Sequence, residues 1–285
     1  MLGQNGHSDA HALQDTVEPV PVRLVATDLD GTIVRSDGTI SQRTAKALAR
    51  VEEGGAAVVL VTGRPPRWIA PVAEATGHHG VVICSNGAII YDLHDERIVE
   101  SFLIPSSTVA QVVEILHTAM PELGFAVETG TDVYKTENYR SGWELNPDPL
   151  SPSLPLGEVT AYDAAKLLAS HPTFDVDDLL HRTSDLVSHL VAPTHSNGRG
   201  LVEMGALGVS KATTLARFAA ELNVEPADVI AFGDMPNDLP MLAWAGTSYA
   251  VANAHPLVLE AVNRTTKSNN SDGVACVLEE LFGID

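Results

Sequence analysis

The chain has 285 residues, 45% hydrophobic and 19% charged, which is ample apolar material for one or two globular domains. Its 17 Lys and Arg stand against 37 Asp and Glu, and the net charge of −20 disfavours nucleic acid and anionic membranes as general partners. A small phosphorylated ligand stays open, because a local cation or a metal can invert the field in one cleft.

Residues 1–20 are polar, end in prolines and lack the basic start and apolar centre of a signal peptide, so they read as a flexible tail. "VRLVATD" (22–28) is a short apolar run bounded by turn chemistry and predicts a buried strand. Ser41 can cap the helix that follows, Ala45, Leu48 and Ala49 share one face of it, and Gly54 and Gly55 stop it. "AAVVLVTGR" (56–64) predicts a second strand, "PPRWIAPVAEATG" a helix with Pro in its first turn, and "GVVICSNGA" (80–88) a third strand. This alternation implies a parallel sheet with helices on both faces.

The rhythm then changes. A hairpin is expected around "HDE", a helix over 106–120, and two short strands in "GFAVETGTDVYKTE". The Pro-rich 146–157 reads as loop, "AYDAAKLLAS" suits either helix or strand, and "DVDDLLHRTSDLVSHL" reads as helix. Alternation resumes with a helix over 210–222 capped by Ser210, a strand and turn in "DVIAFGDMPND", the helix "LPMLAWAG", the strand "TSYAVAN" and a closing helix. The expected organisation is a Rossmann-like α/β core over 21–88 and 200–285, interrupted by a smaller α+β cap over 89–199.

Ligands of open α/β sheets bind outside the carboxyl ends of the strands. Asp28 and Asp30 end the first strand, Thr62 the second, and Asp234 a later one with Asn237 and Asp238 just beyond; Lys211 opens a helix between them in sequence. Clustered carboxylates raise one another's pKa unless a cation intervenes. Mg²⁺ takes oxygen ligands, often one or two carboxylates plus a phosphate. A carboxylate can also attack phosphorus, and phosphoryl transfer asks mainly for positioning and positive charge. A lone D-x-D-G-T equally suits a strand-end turn; four such elements in order, each after a strand or at a helix start, point to a phosphoryl-transfer site.

"DLDGT" (28–32), "VTGR" (61–64), "SNGA" (85–88), "GVSK" (208–211), "GDMPND" (233–238), "VANA" (251–254) and "NNSDGVA" (269–275) together resemble the haloacid dehalogenase superfamily, in its Cof-type sugar-phosphatase branch. The resemblance covers 22–90 and 200–283; the insert matches the family's cap in size and position only, and there it favours a strand for "AYDAAKLLAS". It implies an Mg²⁺-dependent phosphatase that acts on a small phosphorylated metabolite, a sugar phosphate or similar, through an aspartyl-phosphate. Asp28 would be the nucleophile and Asp30 the general acid and base. Asp28, the Asp30 carbonyl and Asp234 would bind the metal, with Asp238 behind them or acting through water. Thr62, Gly63 and the Leu29 N–H would hold phosphoryl oxygens, Lys211 would neutralise charge, and Asn237 would reach the phosphoryl or its neighbours. Lys211 is followed by Ala212 where the branch usually has Gly. The same residues would serve a phosphomutase or phosphotransferase. A receiver-type phosphoacceptor would need the order acidic pair, lone Asp, Thr, Lys, which is not the order here.

Two cysteines, Cys84 and Cys276, are too few for a disulfide scaffold, and no apolar run approaches the ~18 residues of a membrane span, so a cytoplasmic protein is expected. The 11 histidines are scattered without metal-site spacing. Substrate choice is expected in the cap, where "YKTENYRSGWELN" mixes Lys135, Tyr139, Arg140 and Trp143, with hinges near Gly87 and Gly198 to Gly200.

Overall fold

The first apolar run forms β1 (Leu24–Thr27), all four residues buried. In the computed structural model, which describes residues 22–140, 153–195 and 200–284, it lies inside an eight-stranded sheet. α1 (Gln42–Glu53), capped by the Ser41 side chain accepting from the Thr44 N–H, leads to β2 (Ala57–Val61); α2 (Ala70–Thr76) leads to β3 (Val81–Cys84). The buried face of α1 is Thr44, Ala47, Leu48 and Val51, while Ala49 is exposed. That set is an unbroken i, i+3, i+4, i+7 stripe, and the bulk of Leu48 and Val51 sets the rotation where the expected alanines could not.

β4 (Ile89–Asp92) and β5 (Arg97–Ser101) form the expected hairpin, but it adds antiparallel to β3 and extends the first sheet. α3 (Ser106–Ala119) then enters a second unit with β6 (Gly124–Glu128), β7 (Val133–Lys135), the short α4 (Leu156–Val159), β8 (Lys166–Ser170), α5 (Val176–Val187), β9 (Ala192–Thr194) and β10 (Leu201–Gly205). Its five strands are ordered β7-β6-β8-β10-β9, all antiparallel. Residues 89–101 and 201–205 are thus hydrogen-bonded the opposite way round from the sequence expectation. The chain crosses between the sheets after Ser101 and again after Gly205. Gly87, expected as a hinge, is wedged in place: a Cβ there would lie 2.3 Å from the Ser210 carbonyl. The tail 1–20, Trp143 and Gly198 lie outside the described residues.

The chain returns through α6 (Lys211–Glu221), β11 (Val229–Gly233), α7 (Leu239–Trp244), β12 (Thr247–Val251), α8 (Pro256–Ala261), β13 (Thr265–Thr266) and α9 (Gly273–Phe282). The first sheet runs β13-β12-β11-β1-β2-β3-β4-β5, parallel from β13 to β3. In the second sheet one face, with Phe125, Val127, Leu167, Ala169 and Val202, packs against apolar residues of α3 and α5. Register and alternation put Glu128, Lys166 and Glu203 on the other face, all buried. Among the described residues no helix is long and apolar enough to cross a membrane.

Candidate active site

The sheet reverses its winding at β1. The chain moves to β2 and β3 on one side and returns as β11, β12 and β13 on the other. The carboxyl ends of β1 and β11 therefore flank the switch point, where a crevice is expected. Asp28 follows β1, and its N–H donates to the Phe232 carbonyl (3.0 Å); Asp234 follows β11. Two acids more than 200 positions apart are brought together because their strands pair in register, Thr27 opposite Phe232.

Lys211 lies between the carboxylates. Its Nζ donates to Asp28 Oδ1 (2.5 Å) and to Asp238 Oδ1 (2.7 Å), and all three residues are buried. Asp238 spends its second oxygen on the N–H groups of Asp234 and Met235, both at 3.0 Å. Its carboxylate is thereby committed to holding Lys211 and the turn that carries Asp234. Asp234 Oδ1 accepts from the Thr32 hydroxyl (3.2 Å). Asp28, Asp234 and Asp238 each offer a carboxylate oxygen within 4.8 Å of the others, a group that could hold a metal ion.

The electrostatics of this cluster favour a cation. Burial pushes Asp28 up to about 7; Lys211 opposes the rise, and Asp238 and Asp30 add to it. Burial, then the charges of Asp28 and Asp238, push Asp234 up to about 9. Burial works against the charge on Lys211, but Asp238 and Asp28 override it and raise its pKa. One ammonium among three buried carboxylates leaves negative charge uncompensated, which is the donor set a divalent ion fits.

Asp30, two residues beyond Asp28, is held in a fork by Arg64: Nε donates to Oδ2 (2.8 Å) and Nη2 to Oδ1 (2.6 Å). The Arg64 N–H donates to the Thr62 hydroxyl oxygen (3.0 Å), which leaves that hydroxyl its own proton to give. Thr62 itself is fully buried at the end of β2. The adjacent Gly63 carbonyl accepts from Lys166 Nζ (2.7 Å), a residue of the second sheet. Leu29 has its side chain in the core, and its carbonyl accepts from the N–H groups of Thr32, Ile33 and Val34, closing the turn after Asp28. Asn237 donates from Nδ2 to Asn86 Oδ1 (3.0 Å), and Asn86 donates to Glu203 Oε2 (2.5 Å).

Arg64, Asn86, Lys166 and Glu203 were not among the residues expected at the site. Arg64 and Asn86 belong to "VTGR" and "SNGA", so the motifs marked their positions without giving them roles. Ser85 and Asn86 have positive φ of 52° and 58°, a costly conformation for residues with a Cβ and one that clusters at functional sites. Lys166 and Glu203 carried no local signal; they reach the site only through the register of β8 and β10.

A doubly wound sheet with acids converging at its switch point, covered by a separate antiparallel sheet, defines a class of phosphoryl-handling hydrolases. Residues 25–278 match the haloacid dehalogenase-like hydrolase family. The chain belongs to that family and is a hydrolase of the phosphatase type. It is 29% identical over 275 residues to the 5-amino-6-(5-phospho-D-ribitylamino)uracil phosphatase YitU of Bacillus subtilis, covering 92% of this chain and 98% of the relative. It is 28% identical over 264 residues to the pyridoxal phosphate phosphatase YbhA of Escherichia coli, with 89% and 96% covered. A solved phosphatase of this superfamily from Bacteroides thetaiotaomicron superimposes with a TM-score of 0.78 at 22% identity, over 98% of this chain and 100% of that one. Both curated relatives are phosphatases of small phosphorylated metabolites.

Proposed function

We propose that this chain is a Mg²⁺-dependent phosphomonoesterase that acts on a small phosphorylated metabolite, a sugar phosphate or similar, with Asp28 as nucleophile. The observation that carries this reading is the Lys211 bridge between Asp28 and Asp238, beside Asp234 and at the sheet's switch point. A buried carboxylate fixed by an ammonium is aimed and kept from being swamped by its acidic neighbours. Asp28, Asp234 and the Asp30 carbonyl would hold Mg²⁺, with Asp238 fixing the turn behind them. When bound, the metal spreads the phosphoryl charge and screens it from the attacking carboxylate.

Asp28 attacks phosphorus, the bond from phosphorus to the ester oxygen breaks, and Asp30, released from the Arg64 fork and protonated before the step, gives its proton to the departing oxygen. Asp30 then takes a proton from water as that water's oxygen attacks the phosphorus on Asp28. Inorganic phosphate leaves and the Asp28 carboxylate is restored. The Thr62 hydroxyl and the N–H groups of Gly63 and Leu29 take phosphoryl oxygens, Asn237 supports the neighbouring side, and Arg64 aims Asp30. The first sheet performs this chemistry, and the second, laid over it, reads the leaving group.

Release of inorganic phosphate from an aryl phosphate, measured with and without chelator, tests the reading. Asp28→Asn should abolish release while a single cooperative thermal melt shows the variant folded, and excess chelator should stop the wild type. Near wild-type turnover by Asp28→Asn would reject the nucleophile. Turnover that needs a phosphorylated acceptor and frees no phosphate would move the enzyme to the phosphomutases.

A further inference from the structure

The two units touch through a pair of imidazoles that the proposed chemistry does not use. β9 is an edge strand of the second sheet, and His195 follows it directly. Its side chain is only 1% exposed. It meets the His255 ring of the first unit edge to face, with centroids 6.0 Å apart and an interplanar angle of 69°. Alongside, Pro193 and Thr194 of β9 share the wall of a cavity with Pro236, in the turn after β11, and Pro240 of α7. This edge of the second sheet therefore lies against the part of the first unit that carries Asp234. His255 itself donates its N–H to the Asp234 carbonyl (2.8 Å).

The neighbours of His195 fix its proton. Nε2 lies 3.1 Å from Asp177 Oδ1 in α5. A carboxylate only accepts, so Nε2 carries the ring proton and Nδ1 is bare. Nδ1 is buried and has no hydrogen-bond partner among the described residues. A second proton would place an N–H donor there without an acceptor, and a positive charge against the His255 ring and away from water. The titratable groups that face the ring are Asp177 from α5, His255 from the first unit and Glu203 from β10. Burial lowers the pKa of His195 from the ordinary 6.5; Asp177 and Glu203 favour the charge, His255 opposes it, and burial prevails.

We propose that His195 is a proton-operated catch between the two units: neutral, it seats β9 against the first unit, and protonated, it lets that edge lift. Asp177 and Glu203 belong to the same unit as His195 and move with it, so their attraction acts in both positions. Burial against the first unit and the nearness of His255 exist only in the seated position, and both oppose the charge. Proton binding therefore favours the lifted edge. The seated position keeps its full advantage above the ordinary histidine pKa. It loses that advantage as pH falls further, by at most about tenfold per pH unit for a single proton. Mild acid thus loosens the second sheet over the turn that carries Asp234. The device is independent of the phosphatase reading, because it concerns only how the two units meet.

The distance between two spin labels tests it. The labels go on Asp185→Cys in α5 and Glu260→Cys in α8, both exposed positions, in a chain with Cys276→Ser; Cys84 is buried. Double electron–electron resonance is recorded in chelator, so that metal occupancy does not vary, from about pH 8 to about pH 5. With His195 present, a longer-distance population should grow by about threefold or more as pH falls. His195→Gln keeps a donor for Asp177 and does not titrate in this range, so its distribution should stay constant. Histidine-ring NMR should show His195 taking up its proton over the same interval as the distance change. A distribution unmoved by pH with His195 present, or an equal response in folded His195→Gln, overturns the proposal. Midpoints of proton uptake and distance change more than about one pH unit apart also overturn it. That comparison decides alone if His195→Gln does not fold.

Discussion

Gly31 shows what a single position contributes to the site. Its φ of +83° lets the chain turn straight after the two acids, and a Cβ there would lie 2.2 Å from Asp234 Oδ2. The missing side chain makes room for the carboxylate that approaches from β11. Gly31→Ala should therefore cost on the order of 1–3 kcal/mol of stability through backbone strain and displacement of Asp234. It should also weaken Mg²⁺ binding; urea unfolding and a Mg²⁺ titration followed by thermal shift measure the two effects. An unchanged Mg²⁺ affinity in the variant would show that Asp234 is not a ligand. Ala212, where the related branch usually has Gly, is buried in the first turn of α6. The extra methyl is accommodated there without disturbing Lys211, whose side chain still reaches both of its acids.

At the scale of elements, α6 puts its cation where a helix least favours one. Lys211 is the first residue of the helix, next to the positive end of the dipole. Two buried carboxylates offset that cost, and Ser210 secures the helix start by accepting from the Thr213 N–H. The closing segments of the chain brace the turn that carries Asp28 and Asp30. Asn253 Nδ2 donates to the Gly31 carbonyl (2.8 Å) and Asn269 Nδ2 to the Val34 carbonyl (2.9 Å), and Arg35 pairs with Asp272 at 2.7 Å. The Asn253 side chain in turn accepts from the Asn269 N–H. This gives "VANA" and "NNSDGVA" a physical purpose at a turn more than 200 positions away in sequence. Asn269→Ala strips a buried carbonyl of its donor and should lower stability by about 1–3 kcal/mol, read as a shift in urea midpoint at constant slope. A midpoint equal to wild type would deny the brace.

Across the whole molecule, the acid cluster couples stability to pH and to metal. Asp28 and Asp234 hold their protons up to about 7 and about 9 in the folded chain, against 3.8 as the ordinary carboxylate value. Over that interval the folded state binds more protons than the unfolded state, so stability falls as pH rises. In chelator, the melting temperature should decline between about pH 4 and pH 9. Mg²⁺ replaces those protons, so the stabilisation it gives should grow with pH over the same range and level off above it. A Mg²⁺ effect that is flat across the range, or largest at its acid end, would show that the cluster is not the metal site. Salt bridges at the surface, such as Arg50 with Glu53, add little to this balance because water and salt screen them.

The sequence by itself determined the elements whose signal is local. β1, the capped starts of α1 and α6, and the turn residues after β11 follow from apolar runs, Ser caps, Gly and Pro, and each lies within a few residues of its signal. It also marked Asp28, Asp30, Asp234 and Lys211 as candidates, since three acids at strand ends and a lysine at a helix start keep those places wherever the elements come to lie. Tertiary structure alone decided that β4 and β5 belong to the first sheet and β10 to the second, because a short strand does not encode its partner. It decided that Arg64 grips Asp30 and that Lys166 and Glu203 reach the site. Those contacts depend on the register of strands and the seating of one sheet over the other, and register is fixed by many small packing terms summed over distant residues.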